Sequence, residues 1–428
     1  MKRFRSTCIL AALCLSLLPG SGFSAEEGEE KLDQTYVRLA GALGKSAQKL
    51  KESPESADAA FDAALKMSEL ASYLARRGQR GDMEKALSYF NGSLELREQI
   101  AKMLPFEPRA VRGVSVGLND LAEFISRRNQ PGDMPKAVDL ATRSITLANQ
   151  LCTAQPDSLE AQRDLAVSLD RMGALLVLRN TGDDLAKARE HFARCVDIGE
   201  RIQKAKPDDT GARRDLALSL ERLGGFLAER FGDAETEQAL ALLRRSLEIR
   251  TELYKKTPDD ATAARELSIS LEKLADLLVV HGNGGDPDKT LAMFIQSAVL
   301  REELMKKFPT SAQVARDLSV ALNKLGDFLA VLDRPGDAEQ AKAHFTRDLE
   351  ISEKLMKANP ESLQAVRDVA VSRYKLAGFA QKRGDAAEEE KHIKACYELL
   401  AEHIGRGAKF DASIMQLFAV LKDRFAAK

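Results

Sequence analysis

Apolar residues along this chain recur at helical spacing, and the pattern itself then recurs at a much longer period. Leu165, Leu169, Met172 and Leu176 follow one another at intervals of four, three and four, which lines one face of an amphipathic helix. After a short polar break a second stripe follows, made of Ala188, Phe192, Cys195, Ile198 and Ile202. One unit later that stripe reads Ala239, Leu243, Ser246, Ile249 and Leu253. The interval is 51 residues, and Pro54, Pro105, Pro156, Pro207, Pro258, Pro309 and Pro360 mark it along the chain. A unit repeated at fixed period contacts its neighbours rather than a common centre, so the pattern predicts a stack of helical hairpins.

Polar residues punctuate each helix. Ser56, Ser158, Asp209, Asp260, Ser311 and Ser362 stand where a side-chain oxygen accepts from first-turn amides. In the second unit Glu107 takes that place and Pro108 suits the first turn. A Gly-Asp step at Gly81, Gly132, Gly182, Gly232, Gly336 and Gly384 is expected to end the first helix, and its Asp to cap the second. Small residues recur where the two helices touch: Ser93, Ser144, Cys195, Ser246 and Ser297 on the second, and Ala122, Gly173, Gly224, Ala275, Gly326 and Ala377 on the first. Small side chains permit close helix approach. One such hairpin has too small a core to stand alone, so neighbours must stack. Leu39, Ala42 and Leu43 keep second-helix spacing ahead of the first full unit, so residues 31–53 read as a capping helix. Seven units fill residues 54–404. Ile414, Leu417, Phe418 and Leu421, after Asp411, make a second capping helix within residues 405–428.

The units resemble tetratricopeptide repeats, whose pattern is Trp-x2-Leu-Gly-x2-Tyr, then Ala-x3-Phe, then Pro. Met172-Gly173, Leu223-Gly224 and Leu325-Gly326 fill the Leu-Gly slot, and Ala188/Phe192 and Ala341/Phe345 fill Ala-x3-Phe. Departures are systematic. The Trp slot holds Leu169, Leu220, Leu271 and Leu322, and the Tyr slot holds Leu176, Leu227, Leu278 and Leu329. An aromatic residue moves one place earlier, to Phe124, Phe226, Phe328 and Phe379. The resemblance covers about residues 31–428, and it implies an all-α, right-handed α-solenoid of seven hairpins between single capping helices.

Residues 1–24 have the shape of a secretory signal peptide: Lys2, Arg3 and Arg5, an apolar run from Cys8 to Leu18, and small Gly22 and Ser24. Cleavage fits after Ser24 or after Gly22. Cys14 follows Leu13 rather than a small residue, which argues against lipidation. The run is too short to span a bilayer core, which needs about 20 residues. An acidic stub follows over residues 25–30. The expected location is therefore periplasmic or secreted. Loss of the leader removes three of 64 basic residues and none of the 65 acidic ones, leaving a net charge of −4. With no basic excess and no Trp, nothing invites nucleic acid.

Candidate chemistry is sparse. Cys152, Cys195 and Cys396 lack Cys-x2-Cys spacing, which argues against a disulfide framework. With the last inter-helix turn three residues shorter, Cys396 aligns with Cys195 and the small-residue column. His392-x3-Cys396 would set two ligands on one helical face, but His392 then aligns with His191 and His344, the mark of a recurring surface position. Nothing resembles a His-Glu-x2-His site, a phosphate loop or a nucleophile elbow. No cofactor, metal or catalytic residue is assigned, and the chain reads as a non-enzyme.

By similarity to tetratricopeptide repeats, the first-helix face lines a concave groove. Val116, Val167, Leu218, Ile269, Val320 and Val371 form an aliphatic column there, and Asn119, Asp170, Glu221, Glu272, Asn323 and Tyr374 follow three residues on. Asn119 and Asn323 would bridge backbone amides, and the three carboxylates would prefer Lys or Arg of a ligand. Alternatively these acids pair with the adjoining column Arg171, Arg222, Lys273, Lys324 and Lys375. Replacing Asp170, Glu221 and Glu272 by Ala is expected to leave the helices intact. An arginine at Arg112, Arg163, Arg214, Arg265, Arg316 and Arg367 is followed in the last five units by Asp164, Asp215, Glu266, Asp317 and Asp368, which suggests an ion-pair ladder between units. Two functions compete: a scaffold binding a protein or peptide in the groove, and a self-associating structural component of an envelope assembly.

Overall fold

The computed structural model describes residues 34–79, 81–231, 235–280, 286–360 and 362–426. The expected leader and acidic stub lie outside them, as does Gly232. Sixteen helices and no strand occur among the described residues. They are α1 (Gln34–Glu52), α2 (Ala57–Arg77), α3 (Asp82–Met103), α4 (Pro108–Arg128), α5 (Asp133–Ala154), α6 (Leu159–Arg179), α7 (Asp184–Ala205) and α8 (Thr210–Phe231). They continue as α9 (Thr236–Lys256), α10 (Ala261–Val280), α11 (Pro287–Lys307), α12 (Ala312–Leu332), α13 (Asp337–Ala358), α14 (Leu363–Lys382), α15 (Ala386–Gly405) and α16 (Ala412–Ala426). The chain divides into two compact units, Met1–Ser219 and Leu220–Lys428, and the division falls inside α8. In the first, α1 packs on α2, and α2–α3, α4–α5 and α6–α7 are hairpins. In the second, α10–α11, α12–α13 and α14–α15 are hairpins, and α16 packs on α15.

In four hairpins the small-residue column bonds the backbone of the facing helix. In the first unit Ser93 Oγ donates to the Ala64 carbonyl at 2.7 Å, Ser144 Oγ to that of Ser115 at 3.2 Å, and Cys195 Sγ to that of Ala166 at 3.2 Å. In the second, Cys396 Sγ donates to the Ala370 carbonyl at 3.3 Å. The first three links span 29 residues and the last 26, so the shorter final turn shifts Cys396 into the same seat. Burial pushes the Cys195 and Cys396 thiols up to about 12, leaving them as packed groups that donate weakly and attack nothing.

The two halves of the repeat motif meet in space. A Cβ on Gly173 would lie 2.7 Å from the Phe192 ring, and one on Gly326 2.8 Å from that of Phe345. Displacement of the aromatic by one position also has a physical reason. Phe124, Phe328 and Phe379 turn to the preceding hairpin, where they meet Phe90, Phe294 and Phe345 with ring centroids 5.1, 5.4 and 5.6 Å apart. Such aromatic pairs contribute about 0.5–1.5 kcal/mol each beyond their buried area.

N-caps form at the expected residues: Ser56, Ser158, Ser311 and Ser362 accept from the amides of Ala59, Ala161, Val314 and Ala365. The Gly-Asp step plays its expected role at Gly384, a left-handed residue just past α14, where Asp385 caps α15 by accepting from the Glu388 amide at 3.1 Å; in earlier hairpins it works differently. First helices end in left-handed residues farther upstream, Gly78, Asn129, Asn180 and Asp333. In those hairpins an Asp at the step, such as Asp133, or one place after it, as Asp184 is, enters the second helix as its first residue and binds backward. Asp133 accepts from the Gln130 amide and pairs with Arg128, and Asp184 does the same with Thr181 and Arg179. Those arginines hold both carboxyls below the usual carboxylate range. A depressed folded pKa contributes stability that is present above the ordinary value of about 3.9 and lost as pH falls through the folded value. The advantage of the parent chain over Asp184→Asn in urea unfolding should therefore shrink below about pH 4. An advantage that stays constant down to about pH 2 would refute this.

Candidate functional site

The aliphatic column lies on the open surface of the first helices. In the first unit Val116, Val167 and Leu218 are 39%, 47% and 42% exposed. Leu65, 47% exposed, extends the same column one unit ahead of Val116. In the second unit Val320 is exposed and Ile269 and Val371 are half-buried, while Val420 on α16 is 57% exposed. The signal for both missed residues is in the chain: each member stands nine residues after its N-cap, as Leu65 does from Ser56 and Val420 from Asp411.

Ion pairs between successive first helices border this rail on both sides. One ladder joins Arg112 to Asp164 at 2.8 Å and Arg163 to Asp215 at 2.5 Å in the first unit, and Arg316 to Asp368 at 2.9 Å in the second. It ends where Arg367 meets Asp411 at 3.0 Å, so the N-cap of α16 also closes the ladder. The other ladder holds Arg171 on Glu123 at 2.5 Å, Lys375 on Asp327 at 2.5 Å, and Lys324 on Asp276. Partly exposed pairs of this kind are each worth about 0–1 kcal/mol.

The polar column three residues on turns away from the groove into the seam between helices. Asn119 is buried and donates from Nδ2 to Ser168 Oγ at 3.2 Å. Asp170 and Asn323 are half-buried, and only Tyr374 is exposed. Glu221 is 3% exposed and holds Lys273 at 2.8 Å, Arg250 at 3.3 Å and the Ser270 hydroxyl at 3.0 Å. Glu272 is 4% exposed, with Arg301 at 3.0 Å, Ser297 Oγ at 2.7 Å and Lys324 at 3.7 Å. Burial raises the Glu272 carboxyl, and Arg301 opposes the shift. The two glutamates therefore face internal partners rather than a ligand, and exchanging them for Ala is not a surface substitution. Lys273 and Lys324 belong to the alternative pairing column; Arg250 and Arg301 come from the second helices, outside both columns. Their signal is Ser-x3-Arg, as in Ser246/Arg250 and Ser297/Arg301, which sets a cation one turn beyond the close-contact serine.

His392 is buried against Glu388, Nε2 to Oε2 3.2 Å, and burial lowers its pKa and those of His191 and His344. Among the described residues no group of three or more His, Cys, Asp or Glu is placed to hold a metal ion, and no helix is long and apolar enough to cross a membrane. Between α1 and α2 lies an open cleft of about 540 Å³ lined by Thr35, Arg38, Leu39, Ser68, Glu69, Ser72, Tyr73 and Arg76. That lining is mixed and polar, unlike the mostly apolar walls of small-molecule sites.

No family model matches the sequence. Protein NCA1 of Arabidopsis thaliana is 26% identical over 231 residues, which are 53% of this chain and 51% of that protein. The chain thus matches about half the length of this curated relative. Similar solved structures are tetratricopeptide-repeat and other helical-repeat proteins. The S. pombe nuclear import adaptor Nro1 has 13% identity and a TM-score of 0.48, covering 73% of this chain and 99% of its own. A tetratricopeptide repeat protein from Parabacteroides merdae has 12% identity and a TM-score of 0.35, covering 86% and 99%.

Proposed function

We propose that the protein is an exported, non-enzymatic scaffold that binds a segment of another protein along the aliphatic rail. One observation carries this reading: an aliphatic side chain, exposed or half-buried, stands at a constant register on one first helix after another, between charges that are already paired. A surface so arranged recognises apolar side chains and spends no unpaired charge on its ligand. Packed helices lie about 8–10 Å apart. Three residues of extended chain cover about 10 Å at 3.3 Å each, and seven residues of helix cover about the same at 1.5 Å each. The ligand is accordingly a segment with an aliphatic residue at every third position if extended, or every seventh if helical.

Capture from an envelope fraction followed by mass spectrometry identifies the partner, and N-terminal sequencing of the same material locates the mature start near Ala25. Val116→Asp with Val167→Asp should then weaken that partner by about tenfold or more, equivalent to about 1.4 kcal/mol. Helix content by circular dichroism should stay unchanged, since both side chains are already exposed. Undiminished binding, with capture abolished by truncation before Asp411, would instead favour the assembly reading.

A further inference from the structure

The close-contact column carries Ser93, Ser144, Cys195, Ser246 and Ser297, and its next member is Asp348. All of these are buried, and Asp348 has no exposed surface. A carboxylate there needs donors for two oxygens, and a well-formed hydrogen bond reaches one. Ser319 Oγ donates to Oδ1, and Oδ2 has no donor. Ser372 is the second hydroxyl within reach, but its hydrogen goes to the Asp368 carbonyl at 2.9 Å. Asn323 is the third neighbour; its Nδ2 donates to the Ser319 carbonyl at 3.2 Å, and its own buried Oδ1 has no donor either.

We propose that Asp348 is a neutral carboxylic acid in the folded protein at neutral pH, with its hydrogen donated from Oδ2 to Asn323 Oδ1. A single hydrogen then satisfies both orphaned acceptors, where an ionised Asp348 leaves two lone-pair groups buried without a donor. Surrounding charges do not supply a counter-ion. Lys375 on α14 is the cation that acts on the carboxyl, and its ammonium is held by Asp327. Arg373 on α14 pairs with Glu353, Arg316 on α12 with Asp368, and Arg347 on α13 with Glu302. His344, one turn earlier on α13, is kept neutral by burial.

Burial raises the Asp348 carboxyl and outweighs the side chains of Ser319, Ser372 and Asn323 and the Lys375 charge, which act the other way. A folded pKa above the unfolded value contributes stability that is complete below about pH 3.9 and is lost as pH rises through the folded value. The second unit therefore carries a pH response: on the alkaline side an uncompensated charge appears in the seam between α12, α13 and α14 and loosens their packing. It also ties up Asn323, which is then no ligand contact.

Infrared difference spectra of the mature full-length chain, unlabelled against aspartate-labelled with ¹³C, test this directly. The expected result is a protonated carboxyl stretch at neutral pH that is missing from Asp348→Asn and fades as the parent is made alkaline. An ionised carboxylate alone at neutral pH overturns the proposal, and this readout on the parent does not depend on how the variant folds. Urea midpoints from about pH 6 to about pH 9 provide the second arm. The parent should lose stability across that window and Asp348→Asn should not; parallel curves overturn the proposal.

Discussion

Glu272→Ala is expected to destabilise the second unit by about 3–5 kcal/mol, because it leaves a desolvated guanidinium without its counter-ion. Arg301 is 3% exposed, and its remaining contacts are Ser268 Oγ at 3.1 Å and the Asp317 carbonyl. Neither carries a charge. Lys324 lies 3.7 Å from the same carboxylate, so its removal leaves two cations facing each other across the seam. The double variant Glu272→Leu with Arg301→Met should recover most of the loss, since replacing a buried ion pair by apolar side chains of similar size is often neutral or stabilising. Urea unfolding read by circular dichroism measures both, with the midpoint shifting and the slope unchanged. A single-variant loss below about 1 kcal/mol would mean that the pair is solvated.

Gly326→Ala should also be destabilising, although alanine is the better helix former by about 0.8–1 kcal/mol. The new methyl would sit 2.8 Å from Phe345 Cε1 and 3.0 Å from Cζ. The ring cannot swing clear, because it is 3% exposed and backed by Phe379 at 5.6 Å. Overpacking costs about 1–3 kcal/mol, which offsets the gain in propensity and reverses the sign. Gly378→Ala is the matched control. It lies inside α14 with nothing within 4 Å of a built Cβ, and should stabilise by about 0.8–1 kcal/mol. The two alanines should thus move the thermal midpoint in opposite directions; the same direction for both would exclude ring contact as the cause.

Glu272 and Gly326 mark where sequence reading stops and packing begins. The repeat length, the two amphipathic stripes, the Ser caps and the close-contact column are all local or periodic properties. Helical spacing assigns a face without any neighbour, and a cap needs only its own first turn. Cys396 could therefore be aligned with Cys195 by counting alone, and both thiols meet a backbone carbonyl on the facing helix.

The depth of each face is not a local property. A residue three places after a rail valine is turned about 60° from it around the helix axis, so on an isolated helix both columns belong to one open surface. The next hairpin covers one and leaves the other. Val116 stays 39% exposed while Asn119 falls to 6%, and Glu272, buried in the same way, changes from a ligand contact into half of an internal ion pair. Arg250 and Arg301 are hidden from sequence for the same reason: long, charged side chains read as solvated until neighbouring helices close over them. Asp348 is the strongest case, since it differs by position alone from aspartates that pair at the surface, and complete removal of water decides its protonation.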